Sequence, residues 1–188
     1  MRSFISEVLQ HLVSSNRDIS KCTFILPSKR AGLFLKESIK TRLTAPSFLP
    51  EIFSIEDFIE ELSNLKSLST VEVLFEFYNL YRDITPIKEV EPFGRFSRWA
   101  SIIIQDFNEI DRNLIPTTKI FKYLDAIHDI NHWSLDPRPT KMIRGYLKFW
   151  GKIELYYNKF SAQLLEKGIA YQGLIYKEAV KNLELYIS

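Results

Sequence analysis

The ten residues TFILPSKRAG, at positions 23–32, constrain the fold of this chain more than any other stretch. An apolar run over 22–26, rich in residues that favour strands, is closed by Pro27, which is typical of a buried strand. Ser28 can then cap a helix that we expect to run from 29 to about 43. The apolar stripe predicted to bury this helix consists of Leu33, Phe34, Ile39 and Leu43.

A second strand and helix follow the first pair. Residues 51–53 favour another short strand, and Ser54 with Asp57 three positions on resembles a capping box at the start of a helix. An amphipathic helix over 3–15 precedes both strands. We therefore expect residues 1–62 to form a small α/β lobe whose two strands lie parallel in one sheet.

Residues 63–188 show helical periodicity and no further convincing strand. The predicted helices cover 69–81, 93–110, 117–130, 141–167 and 171–187. The first begins at a Ser69–Glu72 capping box and has Leu74, Phe75, Tyr78 and Tyr81 on its predicted buried side. Gly168 is placed to end the fourth in the left-handed conformation, and the last has no stop signal, so we expect the chain to continue in a larger protein. The predicted fold class is α/β and predominantly helical.

Cysteine usage and hydropathy favour a cytoplasmic protein. The single cysteine, Cys22, cannot form an intramolecular disulfide, and a buried-strand position makes it an inert core thiol. The N-terminal helix carries polar residues at its apolar positions, unlike a signal peptide. The longest aliphatic run, Ile102 to Ile104, is far too short to cross a bilayer, so no membrane partner is expected.

Charge is distributed unevenly along the chain, although the net charge is only +2. Residues 16–42 carry seven cations against two carboxylates, a balance of +5. Residues 51–91 carry three cations and ten carboxylates, a balance of −7. Residues 138–181 carry nine cations and three carboxylates, a balance of +6. Solvated helix faces are the simplest interpretation, and a basic surface for nucleic acid is the alternative.

No complete catalytic motif is present. A P-loop needs GxxxxGK[ST], and the nearest match, GYLKFWGKI at 145–153, has the wrong spacing and Ile153 in place of the hydroxyl. No Asp or Glu is followed two residues later by Lys, as a restriction-type nuclease requires. His128 and His132 lie four apart with Asp125 and Asp129 nearby, but there is no HExxH pattern. Since residues 131–133 are typical of a helix end, a metal site is not expected. We expect no enzyme activity in this chain, and no cofactor or metal.

The densest acidic group is Asp106, Glu109 and Asp111, near the end of an apolar helix. Carboxylates there oppose the helix dipole, so a partner such as Arg98, Arg112 or a basic surface is expected. A structural ion pair and a catalytic dyad are both compatible with the sequence, and the dyad would require a pocket.

Lys29 and Arg30 place two cations at a helix start, where the dipole is already positive. The free N–H groups of a helix start bind anions, and two cations beside them after a strand would suit a phosphate. Solvent screening could equally make the electrostatic cost negligible, which would leave the pair without a role.

The segments TFILPSKRAGLFLKESIK at 23–40 and PEIFSIEDFIEEL at 50–62 resemble the motif Ia region of AddB-type proteins, the nuclease-bearing, inactivated-helicase subunits of bacterial recombination complexes. RWASIIIQDFNEID at 98–111 and the stretch 146–180 are similar to helical-insertion segments of proteins in the PD-(D/E)XK nuclease family. The resemblance implies a partial RecA-like lobe and a helical insertion, with the nuclease domain far downstream. This chain departs from P-loop members because its N-terminal helix leaves no place for that loop.

The resemblance implies a non-catalytic helicase-like domain in DNA repair that contacts single-stranded DNA or shapes its channel, beside a helicase partner subunit. Carried over residue by residue, the positions expected to touch phosphate are Pro27, Ser28, Lys29 and Arg30.

An architectural helical module with no DNA contact is the main alternative. Such a module would dock onto a partner protein through exposed aromatic side chains, for which the sequence suggests Phe77, Tyr156 and Tyr176.

Overall fold

The computed structural model describes residues 3–42, 47–123 and 151–187. Its α-helices with both ends in these ranges are α1 (Phe4–Ser14), α2 (Lys29–Lys40), α3 (Ile55–Ser63), α4 (Thr70–Ile84), α5 (Phe93–Arg112), α6 (Ile153–Glu166) and α7 (Gln172–Ile187). The strands there are β1 (Thr23–Leu26), β2 (Glu51–Ser54), β3 (Lys66–Ser67) and β4 (Ile169–Ala170). The chain is therefore a predominantly helical α/β protein, which confirms the predicted fold class.

The chain divides into two compact units, Met1–Glu61 and Leu62–Ser188, called here the N-terminal unit and the C-terminal unit. In the N-terminal unit, β1 and β2 pair in parallel, with Phe24 opposite Ile52 and Leu26 opposite Ser54. Their inward side chains pack with buried residues of α1 and α2, and this small core contains Leu9, Leu35, Ile39, Phe24, Leu26 and Ile52. The predicted parallel pairing of the two strands is confirmed.

The buried face of α2 differs from the predicted one. Gly32, Leu35 and Ile39 are buried, whereas Leu33 and Phe34 are 66% and 58% exposed. The reason is the close approach of α2 to β2: a Cβ at Gly32 would lie 3.2 Å from Cγ2 of Ile52. The helix turns its smallest residue to the sheet, and this orientation leaves the two large apolar neighbours in solvent. The fourth predicted stripe residue, Leu43, lies outside the described residues.

Aromatic rings form the centre of the C-terminal unit. Phe77 of α4 is fully buried, and its ring contacts those of Phe96 in α5 and of Tyr156 and Phe160 in α6, with centroids 4.9 to 5.7 Å apart. The buried residues of α4 are Val73, Phe77, Leu80 and Tyr81. Only Tyr81 was predicted among these, because Phe75 and Tyr78 gave an equally regular stripe.

The Ser69–Glu72 capping box and the left-handed Gly168, at φ 67°, are both as predicted. The prediction that no strand follows residue 62 is wrong, because β3 and β4 pair in parallel, Lys66 with Ile169 and Ser67 with Ala170. Two-residue strands are too short to show an alternating pattern.

Two predicted helices extend beyond the described ranges. The helix predicted over 141–167 begins at Ile153 after a turn at 151–152, and 141–150 lies outside the described residues. Residues 117–123 are helical, and the rest of the predicted helix, 124–130, is likewise outside them.

Candidate nucleic-acid interface

The carboxyl ends of β1 and β2 lie side by side, because Leu26 pairs with Ser54. Each strand leads into a helix, so the first turns of α2 and α3 begin at the same edge of the sheet. In each case a serine is the cap: the Ala31 N–H donates to Ser28 Oγ (3.3 Å), and the Asp57 N–H donates to Ser54 Oγ (3.2 Å). In parallel α/β sheets this carboxyl edge is where ligands usually bind.

Lys29 has a carboxylate partner at this edge. Its Nζ lies 2.8 Å from Oδ1 of Asp57, and the other oxygen, Oδ2, accepts a hydrogen bond from Ser54 Oγ (2.7 Å). Hydrogen bonding to Asp57 raises the pKa of Lys29, and the hydrogen bonds from Lys29 and Ser54 lower the pKa of Asp57. Since the lysine side chain is largely exposed, this ion pair adds little to stability. It does explain how a cation is tolerated at a helix start.

Arg30 points to a different partner. Its guanidinium carbon lies 5.9 Å from the ring centroid of Phe34, one helical turn on, which is cation–π geometry. Arg30 makes no ion pair with any residue in the described ranges. The arginine and the phenylalanine are both exposed, so together they present a charged, planar and aromatic surface to solvent.

Pro27 and Ser28 complete the predicted set. Both are exposed, as are Lys29 and Arg30, so the structure places all four predicted contact residues on one accessible turn. Phe34 was not predicted as part of this site, because its spacing assigned it to the buried stripe. An arginine four positions before an aromatic residue on a helix was the signal that could have found it.

Acidic side chains surround the same edge. Glu56 and Glu60 of α3 add to the attraction that Asp57 exerts on Lys29. The register of β1 with β2 places Glu51–Ser54, where the acidic stretch begins, beside Thr23–Leu26 of the basic stretch 16–42. The predicted site is therefore of mixed charge rather than uniformly basic.

The acidic group of α5 resolves into one buried and two exposed residues. Asp111 is 1% exposed, while Asp106 and Glu109 face solvent. Lys177 Nζ lies 2.8 Å from Asp111 Oδ1, and Tyr171 donates its hydroxyl to Oδ2 (2.5 Å). Neither Arg98 nor Arg112, the arginines expected as partners, pairs with Asp111, because its carboxylate turns inward toward α6 and α7.

Tyr157 completes this Asp111 network. Its hydroxyl donates to Asp111 Oδ1, and Lys177 donates to the same hydroxyl oxygen (2.6 Å). Burial raises the pKa of Tyr157 and of Tyr171 above the range of a free phenol, and the negative charge of the Asp111 carboxylate raises both further. Each oxygen of the carboxylate accepts at least one hydrogen bond, so the arrangement is that of a structural ion pair joining α5, α6 and α7.

The aromatic residues predicted for docking are mostly buried. Phe77 and Tyr156 belong to the ring cluster and are 0% and 3% exposed, which contradicts their predicted surface role. Tyr176 is half-buried, and its hydroxyl accepts a hydrogen bond from Gln172 Nε2 (3.2 Å). The exposed aromatic side chain of α4 is Phe75, whose ring stacks on that of Phe93 with 4.8 Å between centroids.

Metal-binding clusters and membrane-spanning helices are both absent from the described ranges. There, no three His, Cys, Asp or Glu side chains group as metal ligands would, and His128 and His132 lie outside those ranges. Among the helices described, none has the length and hydropathy to span a bilayer.

Comparison with known proteins found no family model and no curated protein that matches this chain. The resemblance to AddB-type proteins therefore stays a prediction from the quoted segments.

Proposed function

We propose that the N-terminal unit is a non-catalytic, helicase-like module that contacts single-stranded DNA at the start of α2. The observation that carries the proposal is the exposed Arg30–Phe34 pair at the carboxyl edge of a parallel sheet. An arginine beside an exposed aromatic ring is the combination by which proteins hold single strands: the cation meets a phosphate and a base stacks on the ring.

The exposure of Phe34 supports this proposal independently of charge. A phenylalanine that is 58% exposed contributes little to the core, and each stacked base is worth about 1 to 3 kcal/mol, or roughly 5- to 150-fold in affinity. Bases in a duplex are already stacked on one another, so the same ring favours a single strand. Pro27 and Ser28 flank the pair and would lie along the backbone of the strand.

The test is a fluorescence anisotropy titration of a labelled oligothymidylate at several salt concentrations. Arg30→Gln should weaken binding and reduce the slope of log K against log salt by about 0.7, the value for one phosphate on a single strand. Phe34→Leu should weaken binding about fivefold or more without changing the slope. Lys40→Gln, at the far end of α2, also removes one positive charge. It should change the affinity and the salt slope by less than Arg30→Gln does.

Loss of fold cannot imitate this result for Arg30→Gln. The substitution removes a cation from a helix start, where the dipole disfavours it, so the helix should be unchanged or slightly more stable. Equal affinities for the wild type, Arg30→Gln and Phe34→Leu would refute the proposal, as would a wild type that binds no single-stranded DNA at low salt.

A protein-docking module is the second candidate, favoured by the exposed apolar side chains of α4. Phe75 is 51% exposed and stacked on Phe93, and Val71 is exposed one turn earlier. This candidate predicts concentration-dependent association that Phe75→Gln abolishes in analytical ultracentrifugation, together with no binding of single-stranded DNA. Association unaffected by Phe75→Gln would count against it.

A further inference from the structure

We infer that Asp57 is an autoinhibitory residue that competes with nucleic-acid phosphate for Lys29. The inference rests on the proposed function, since it concerns how the same site is regulated. It requires that the Lys29–Asp57 ion pair open before Lys29 can contribute to binding.

The geometry makes Asp57 a built-in substitute for phosphate. One carboxylate oxygen lies 2.8 Å from Lys29 Nζ, and the other accepts a hydrogen bond from Ser54 Oγ (2.7 Å). The Lys29 ammonium group is the donor that a phosphate would use at this edge, while the buried Ser54 hydroxyl holds the Asp57 carboxylate beside it. A carboxylate anchored by its own helix cap is held in place, and the flexible lysine comes to it.

The Asp57 carboxylate competes with an incoming phosphate for Lys29 and also repels that phosphate. A phosphate that approaches Lys29 meets a negative charge already within hydrogen-bonding distance of the ammonium group. Glu56 and Glu60 add further negative charge on the same helix. Arg30 is directed instead to Phe34 and has no ion pair in the described part of the chain. Binding in the wild type should therefore depend on Arg30 and hardly on Lys29.

Removal of Asp57 should convert Lys29 into a phosphate contact. Asp57→Asn should raise the affinity for oligothymidylate about fivefold at low salt, as expected for one charge pair about 4 Å apart in water. It should also steepen the salt slope by about 0.7, for one added phosphate contact. Asn retains a side-chain oxygen for Ser54, and its backbone N–H can still donate to the Ser54 cap.

Glu61→Gln is the matched control. It removes one exposed carboxylate from the same helix, α3, without touching Lys29, and should raise affinity by less than twofold. Equal gains from Asp57→Asn and Glu61→Gln would overturn the inference, because the effect would then be one of net charge alone.

Lys29→Gln completes the test, and its effect in the wild-type background does not depend on the folding of the Asp57 variant. In the wild type it should change affinity by less than twofold, and in Asp57→Asn it should abolish the gain. A wild-type loss as large as that of Arg30→Gln would show that Lys29 is already free to bind, and would refute autoinhibition. If Arg30→Gln has no effect on affinity, the proposed function fails. If Arg30→Gln weakens binding but Asp57→Asn and Glu61→Gln raise affinity equally, only the autoinhibition fails.

Discussion

Asp111 provides the sharpest prediction about the stability of the C-terminal unit. Its carboxylate is 1% exposed and accepts hydrogen bonds from Tyr157, Tyr171 and Lys177. Removal of one partner from a buried ion pair usually costs about 3 to 5 kcal/mol, because the other charge is left without compensation. The Lys177 side chain is 26% exposed and can turn toward water, so we expect Asp111→Ala to cost about 3 kcal/mol.

The loss of stability in an Asp111 variant depends on whether the hydroxyls of Tyr157 and Tyr171 keep a hydrogen-bond acceptor. Asp111→Asn keeps one oxygen as an acceptor for a buried hydroxyl, and an unsatisfied buried donor costs about 1 to 3 kcal/mol. Asp111→Asn should therefore be less destabilising than Asp111→Ala. Lys177→Met should also destabilise, because the buried carboxylate loses its counter-charge.

Urea denaturation followed by tryptophan fluorescence measures this unit, because Trp99, Trp133 and Trp150 all fall within 62–188. The Asp111→Ala and Lys177→Met effects should not add: the double variant should be less destabilised than their sum by about 0.5 to 3 kcal/mol. Glu109→Gln, an exposed carboxylate of the same helix, is the control and should stay within about 0.5 kcal/mol of the wild type. Additive effects, or an Asp111→Ala cost no larger than the control, would refute the argument.

Two further predictions concern the same unit. Gly173→Ala should lower the free energy of unfolding by about 3 kcal/mol in the same urea assay, because the added Cβ would lie 2.2 Å from the carbonyl oxygen of Asn108, and backbone yields less than a side chain; wild-type stability would mean that α5 and α7 are not in close contact. The raised pKa values of Tyr157 and Tyr171 mean that the unfolded chain loses its phenol protons first, so their contribution to stability is complete below pH 10 and falls as pH rises above it. Phenolate absorbance should show at least two tyrosines that ionise only on unfolding, and full titration in the folded protein would contradict the burial of Tyr157 and Tyr171.

Local features of the fold were predictable from sequence. The caps at Ser28, Ser54 and Ser69 are set by residues within one helical turn, so their side chains are sufficient to specify them. The parallel pairing of the two strands followed from their separation by a helix, since parallel strands need a crossover connection.

The facing of helices was less predictable, because it depends on neighbours distant in sequence. Two apolar stripes were available on α4, and only the packing around Phe77 selects one of them. On α2 the close contact of Gly32 with Ile52 determines which face of the helix is buried. A glycine carries no hydropathy signal, so the sequence does not indicate this face.

The position of the candidate site was predictable from the sequence, but the ion-pair partners of its residues were not. Residues 27–30 were identified from the helix start and the resemblance. The ion pair of Lys29 with Asp57 depends on the register of β1 against β2, and the partner of Asp111 is Lys177, 66 residues along the chain. Neither spacing has a periodicity that a single sequence can reveal.

Photocross-linking can identify the residues that contact single-stranded DNA. An oligothymidylate carrying 5-bromouracil can be irradiated with the full chain, and the cross-linked peptides mapped by mass spectrometry. Contact through the Arg30–Phe34 pair predicts a cross-link within 27–34, at Phe34 above all, that disappears in Phe34→Leu. Cross-links confined to 62–188, with binding intact, would contradict the assignment of DNA contact to the start of α2.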